Sequence, residues 1–203
     1  MALLAAGANL ALRFPLDKHS LSALDAAAWF GHVRMLQVLI ERGSMEPVQP
    51  MKRAPLHFAA QQNQVAAIQL LVAEGASIND KDAKGCTPLL LATVENHGPA
   101  AEALCVLGAD LSLRVKTNFC FDTDDFAAFD LAAYYGWTDI MKMLIQHGSD
   151  VNTRSWRNMT ALHKASEGDE VGAIDVLIAA GAVIHGPAGF ASPLHMAVDG
   201  KAV

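Results

Sequence analysis

Apolar residues in this chain come in short bursts at helical spacing, and each burst is closed by a glycine. "VRMLQVLIERG" (33–43) and "TDIMKMLIQHG" (138–148) show the pattern most plainly. The closing glycines are Gly7, Gly43, Gly75, Gly108, Gly148 and Gly181, at steps of 36, 32, 33, 40 and 33 residues. A helix commonly ends on a left-handed residue, and glycine takes that conformation without a Cβ penalty. Twelve residues before the last five stand Gly31, Asn63, Asn96, Gly136 and Asp169, all of types that tolerate positive φ. They predict a tight turn between two helices. Ahead of that turn lie start signals: Ser22-Ala23, Ala54-Pro55, Thr87-Pro88, Thr160-Ala161 and Ser192-Pro193. A hydroxyl cap followed by proline at the first helical position opens a helix well. Each unit therefore reads turn, helix, tight turn, helix, glycine, loop, and the chain is a repeat array.

The first helix of each unit opens with nearly the same phrase. It reads "APLHFAA" from Ala54, "TPLLLA" from Thr87, "TALHKA" from Thr160 and "SPLHMA" from Ser192. Unit ends read "EGASIND", "LGADLS" and "HGSDVN". In these residues the chain resembles the ankyrin repeat family over essentially its whole length. The resemblance implies an all-α repeat solenoid of stacked antiparallel helix pairs, with hairpin-like fingers projecting roughly at right angles. We expect one domain, 1–203, with units at about 1–19 (partial), 20–50, 51–83, 84–116, 117–156 (with a finger insertion), 157–188 and 189–203 (partial). That makes five full units and two partial ones. Some positions depart from the phrase: Asp25 and Asp130 stand where the family has histidine, Leu90 does so once, and Ala127-Ala128 replaces Thr-Pro. The chain starts within what would be a second helix and stops within a last unit. Terminal units without polar caps leave apolar faces open, so an excised fragment or ends covered by another segment is expected.

Composition narrows the function classes. Hydrophobic residues make up 52% but aromatics only 6%, so small side chains, chiefly alanine and leucine, must pack the helices closely. The formal net charge is -6, from 15 Lys+Arg and 21 Asp+Glu, which offers no global basic field to nucleic acid. Apolar stretches are too short for a membrane span of about 20 residues, and the opening Met-Ala-Leu-Leu-Ala-Ala is too short for a signal peptide. Cys86, Cys105 and Cys120 are odd in number with no C-x-x-C spacing, as expected of free thiols in a reducing compartment. A cytoplasmic or nuclear location follows as the expectation.

Chemistry of its own is not expected. His57, His163 and His195 share one slot of the phrase, where the resemblance implies a ring that hydrogen-bonds neighbouring turns; His32 and His97 fall at helix–helix turns. Packed helices lie about 8–10 Å apart, too far for equivalent histidines to share a zinc ion that needs nitrogens at about 2.0–2.1 Å. Asp122, Asp124, Asp125 and Asp130 cluster in "FDTDDFAAFD", but Phe126 and Ala127 break the alternation and glycine that a calcium loop requires. A solvated acidic loop with a helix cap is expected there. Cys86, beside a finger turn, is open to reading as an exposed thiol, with only Lys84 near to lower its pKa; a plain free thiol is favoured. No P-loop, G-x-S-x-G, H-E-x-x-H or G-x-G-x-x-G occurs. We expect no enzyme activity, no cofactor, no metal and no small-molecule substrate.

If the phrase builds the scaffold, function falls to the positions it leaves free. One is the pair after the alanines of each first helix, on the side that the resemblance makes concave: Trp29-Phe30, Gln61-Gln62, Val94-Glu95, Tyr134-Tyr135 and Glu167-Gly168. Large amphipathic aromatics in such slots suit an interface. Interface is favoured for Trp29 and Tyr135, while Phe30 and Tyr134 stay open between interface and packing under a finger. Phe58 and Phe129 belong to the inward face. Fingers add Lys52-Arg53, Lys84 and Trp156-Arg157-Asn158, and the 40-residue step marks an insertion within 113–126, open between a recognition loop and a tolerated one. The expected partner-binding residues are Trp29, Phe30, Gln61, Gln62, Glu95, Tyr134, Tyr135, Trp156 and Arg157. The expected partner is a protein or extended peptide, with neither nucleic acid nor membrane insertion. By resemblance such arrays serve as adaptors or substrate receptors. A regulatory array of an enzyme whose catalytic domain lies outside this chain is the alternative, and a passive spacer a third.

Overall fold

The first helix of each unit begins where a side chain can satisfy an amide that a helix start leaves open. A computed structural model describes residues 14–16, 19–42, 54–116, 125–155 and 157–184. Within them the first helices are α1 (Ala23–Trp29), α3 (Pro55–Gln61), α5 (Pro88–Val94), α7 (Ala128–Tyr134) and α9 (Ala161–Glu167). Ser22 Oγ accepts from the Asp25 amide at 3.1 Å while Asp25 Oδ2 accepts from the Ser22 amide at 2.9 Å, a reciprocal capping box. At α3 and α9 the phrase histidine takes the aspartate's place: His57 Nδ1 accepts from the Ala54 amide at 3.2 Å and His163 Nδ1 from that of Thr160 at 3.1 Å. At α7 Asp130 Oδ2 accepts from the Ala127 amide at 2.9 Å. The two aspartates are thus chemical equivalents of the histidine as amide acceptors. Leu90 has no acceptor, and there Thr87 Oγ1 caps the Leu90 amide at 3.2 Å.

The second helices are α2 (Val33–Glu41), α4 (Val65–Ala73), α6 (Gly98–Val106), α8 (Thr138–Gln146) and α10 (Val171–Ala179). Between the helices of each pair sits the expected left-handed residue: Gly31, Asn63, Asn96, Gly136 and Asp169 have φ of 70°, 56°, 56°, 69° and 58°. Gly75, Gly108, Gly148 and Gly181, at φ 85–94°, close the second helices. After each left-handed residue the next amide reaches back five positions, as from His97 to Ala92 O at 2.8 Å and from Ala109 to Leu104 O at 2.9 Å. This is the Schellman bond that satisfies the last carbonyls of a helix.

First helices stack in one row, α1-α3-α5-α7-α9, and second helices in another, α2-α4-α6-α8-α10. Alanines carry the first row: Ala28, Ala59, Ala60, Ala92, Ala132, Ala133 and Ala165 are fully buried, so backbones approach closely. The equivalent leucines Leu39, Leu71, Leu104, Leu144 and Leu177 fill the space between rows, and Phe58 and Phe129 lie in the same core. Polar ties join successive units. His57 Nε2 faces the carbonyls of Asp80 at 3.0 Å and Cys86 at 3.1 Å. Because Nδ1 is already an acceptor, the ring proton sits on Nε2 and is donated to the finger. Asn79 and Asn152 accept from the Asp110 and Val183 amides, at 2.9 and 2.8 Å.

Two short antiparallel hairpins mark the fingers. β1 (Phe14–Leu16) pairs with β2 (His19–Leu21), and β3 (Val115–Lys116) pairs with β4 (Asp125–Phe126). The second hairpin is the stem of the insertion, so α7 stacks on α5 as though the extra residues were not there. Apart from residues 14–16 and 19 of the first, the partial terminal units lie outside the described residues, as do His195, Cys120, Asp122, Asp124, Lys52-Arg53 and Trp156.

Candidate functional site

The free pairs end up where first helices finish and the tight turns begin, one set per unit along the row. Phe30 is 51% exposed, whereas Trp29, one residue earlier, is half-buried and meets Phe58 of the next unit with ring centroids 5.9 Å apart. The sequence reading favoured Trp29 as the freer of the two. In this unit the last helical residue, Trp29, turns toward the neighbouring first helix and the cap residue, Phe30, faces outward. Gln61 and Gln62 are half-buried, and Gln61 Nε2 donates to Glu95 Oε1 of the next unit at 3.0 Å. Tyr134 and Tyr135 are both half-buried and meet edge-on at 5.1 Å.

Trp137 was missed as part of this surface. It stacks on Tyr135 at 4.8 Å and 19° across Gly136. The first unit repeats the arrangement, with Phe30 stacked on His32 at 5.8 Å and 24° across Gly31. The signal was present as "FGH" and "YGW", an aromatic on either side of the left-handed glycine. In the fifth unit Gly168 takes the slot because the Tyr134 carbonyl oxygen lies where its Cβ would be. That glycine is a close-approach position, not an empty one.

The fingers are built on buried polar anchors. Asp82 Oδ1 accepts from the Lys84 and Cys86 amides, both at 2.9 Å, which leaves Lys84 exposed at the tip. Ser155 does the same work two fingers later, its Oγ accepting from the Met159 amide at 3.2 Å. Arg157 is exposed there beside the left-handed Asn158.

The acidic segment departs from expectation. Asp130 is buried, and Arg114 Nη2 reaches its Oδ2 at 2.6 Å while Arg114 Nε binds Asp125 Oδ2 at 2.9 Å. These two carboxylates brace the hairpin stem against α7 and are not a solvated loop; the cap expected at the helix start is there, on Asp130. Burial pushes the Asp130 carboxyl above its usual range, and Arg114, the Ala127 amide and Lys164 oppose that rise. Lys164 is itself buried, 4.5 Å over the Phe126 ring. Cys86 is also buried, at 2% exposure, which removes the reading of an exposed thiol. Burial, with Glu102 nearby, raises the Cys105 thiol to about 11. Among the described residues no three His, Cys, Asp or Glu side chains gather as a metal site would need, and no helix is long and apolar enough to cross a membrane.

Comparison with known proteins agrees with this architecture. Residues 24–115 match ankyrin repeats in three copies, and residues 129–178 match ankyrin repeats in many copies. The ankyrin repeat and KH domain-containing protein mask-1 of Caenorhabditis elegans is 29% identical over 133 residues, 64% of this chain and 5% of that protein. An L-asparaginase of Dirofilaria immitis is 30% identical over 143 residues, 68% of this chain and 22% of the relative. The chain therefore spans at most about a fifth of these two relatives. The crystal structure of the human ASB11 ankyrin repeat domain superposes with a TM-score of 0.73 at 25% identity, covering 87% of this chain and 77% of that one. Capped helix pairs, left-handed turns at fixed positions, matching family repeats and a shared fold agree, and the chain belongs to the ankyrin repeat family.

Proposed function

We propose that this array is a protein-binding module whose contact surface is the row of first-helix ends and adjoining fingers, working as an adaptor or substrate-recognition part of a larger protein. Ankyrin repeats are in general protein–protein interaction modules. The observation that carries the reading here is the row itself: Trp29 and Phe30, the Gln61–Glu95 bridge, and Tyr134 and Tyr135 occupy equivalent places on consecutive stacked helices. Rigid aromatics with polar groups between them are what interface hot spots use. Arg157 extends the surface onto a finger, and Trp156 and Gln62 belong to the same proposed set. A second reading, a regulatory array attached to a catalytic domain, is favoured by relatives named for enzyme activities: the L-asparaginase above and the mitochondrial disaggregase of Bos taurus, 29% identical over 64% of this chain.

The test is affinity capture with mass spectrometry, comparing the natural array with Trp29→Ala, Phe30→Ala and Tyr135→Ala. We expect a partner whose binding weakens by about 2 kcal/mol or more in at least one variant. Trp29 and Tyr135 also pack on the core, so each variant is melted alongside and only folded protein is compared. A partner retained equally by all three variants would place binding elsewhere. Capture of none would leave a passive spacer.

A further inference from the structure

The row is not uniform along its length, and its differences describe a ligand. Stacked aromatic pairs across a left-handed glycine occur in the first and fourth units, Phe30–His32 and Tyr135–Trp137. The second and third units have Gln62–Asn63–Gln64 and Glu95–Asn96–His97 in the same places. The two pairs lie three helix steps apart, α1 to α3 to α5 to α7, each step a direct packing contact. Helices packed at about 8–10 Å put roughly 24–30 Å between the pairs. An extended chain rising about 3.3 Å per residue covers that span in about eight residues.

Charge adds a second constraint. The stretches 29–32, 61–64, 94–97, 134–137 and 167–170 carry Glu95, Glu167, Asp169 and Glu170, and neither lysine nor arginine. Lys164 Nζ meets Glu167 from the buried side at 3.4 Å, so that carboxylate has its own counterion. Glu95 is exposed between the aromatic pairs, held by the Gln61 amide.

From this we infer that the partner of the proposed interaction surface is an extended basic segment: two apolar or aromatic anchors about eight residues apart, seated on Phe30–His32 and Tyr135–Trp137, with a lysine or arginine between them opposite Glu95. The inference rests on the binding reading above and narrows it to one class of ligand. Stacked rings offer a flat apolar platform that costs no rearrangement to use. A cation placed over the middle meets a carboxylate that already has its geometry fixed. An acidic segment seated on the same anchors would instead meet Glu95 as like charge at its middle.

A displayed library of random 16-residue peptides, panned on the full chain, tests it directly. Enriched peptides should carry two apolar positions seven to nine residues apart with lysine or arginine between. Calorimetry with the best of them should show at least a tenfold loss of affinity for Phe30→Ala and for Glu95→Lys. Both substitutions are at exposed positions, and their melting temperatures should match the natural protein. Glu95→Gln should lose most of the salt dependence while keeping the anchors. Peptides that bind but ignore Phe30 and Glu95, or that show no basic preference, overturn this assignment and leave the general module intact. Failure to enrich any peptide also overturns it; a partner that is captured whole and lost on Phe30→Ala then points to a folded ligand.

Discussion

Single residues in this array hold places that their neighbours in the repeat make exact demands on. Gly168 and Gly172 illustrate opposite cases. A methyl group on Gly168 would run into the Tyr134 carbonyl oxygen, a backbone atom that cannot swing aside, whereas one on Gly172 would meet the Thr138 methyl at 3.4 Å. Gly168→Ala is therefore expected to destabilise by about 1–3 kcal/mol, the usual range for forced overpacking. Gly172→Ala should stabilise by about 0.5 kcal/mol through helix propensity. Denaturant melts of the two variants check the signs, and equal effects would refute the close approach. Cys105 supports a second expectation. Its raised value means that the folded chain holds the thiol proton more tightly than the unfolded chain, so stability should fall as pH rises from about 9.0 to about 11. At neutral pH alkylation of Cys86 and Cys105, read by peptide mapping, should be far slower in the folded protein than in denaturant.

At the scale of elements, the charged brace between the insertion stem and α7 is the most specific device. Arg114 joins two carboxylates that belong to different elements, Asp125 on β4 and Asp130 in α7. Asp130→Ala would take one of two carboxylates from the half-buried Arg114, which keeps Asp125, and would leave the buried Ala127 amide without its acceptor, at a cost of about 1–3 kcal/mol. Trimming Thr117 to Asp122 should by contrast leave helicity intact, because stem pairing lies outside the cut and closure entropy changes slowly with loop length. Circular dichroism of both variants separates the cases, and collapse on trimming would mean that the excised residues themselves brace the array. Sequence foresaw a cap at Asp130 but not the brace. Its signal is a charge 16 residues upstream, and no periodicity links Arg114 to a carboxylate across an insertion.

For the molecule as a whole, stability is spread along a line of neighbouring units. Leu71, Leu144 and Leu177 are fully buried in three different units, and alanine at each should cost about 2–5 kcal/mol. Losses below about 1 kcal/mol at all three would overturn the register. Nearly all of this architecture was legible in the sequence, because helix ends, tight turns and caps depend on local chemistry that recurs at fixed intervals. The row of free pairs was legible as a set of positions. Which member faces outward was not, since Trp29 and Phe30 are consecutive and only the neighbouring helix with Phe58 decides between them. Gly168 looked like part of an open slot for the same reason: its occupant, the Tyr134 carbonyl, belongs to another unit.

The paired stem at Lys116 and Asp125 has a practical consequence. Both ends of the insertion leave the array side by side, and the helices on either side pack as if it were absent. Such a place behaves as a socket. A fluorescent protein, an epitope or a second binding loop spliced in at 117–124 has its two termini held together before it folds, and needs no change in the pitch of the stack. The stem enters the array at the start of α7, the helix whose far end carries Tyr135, so cargo spliced there is tied to a defined unit of the stack without replacing any residue of the proposed binding row.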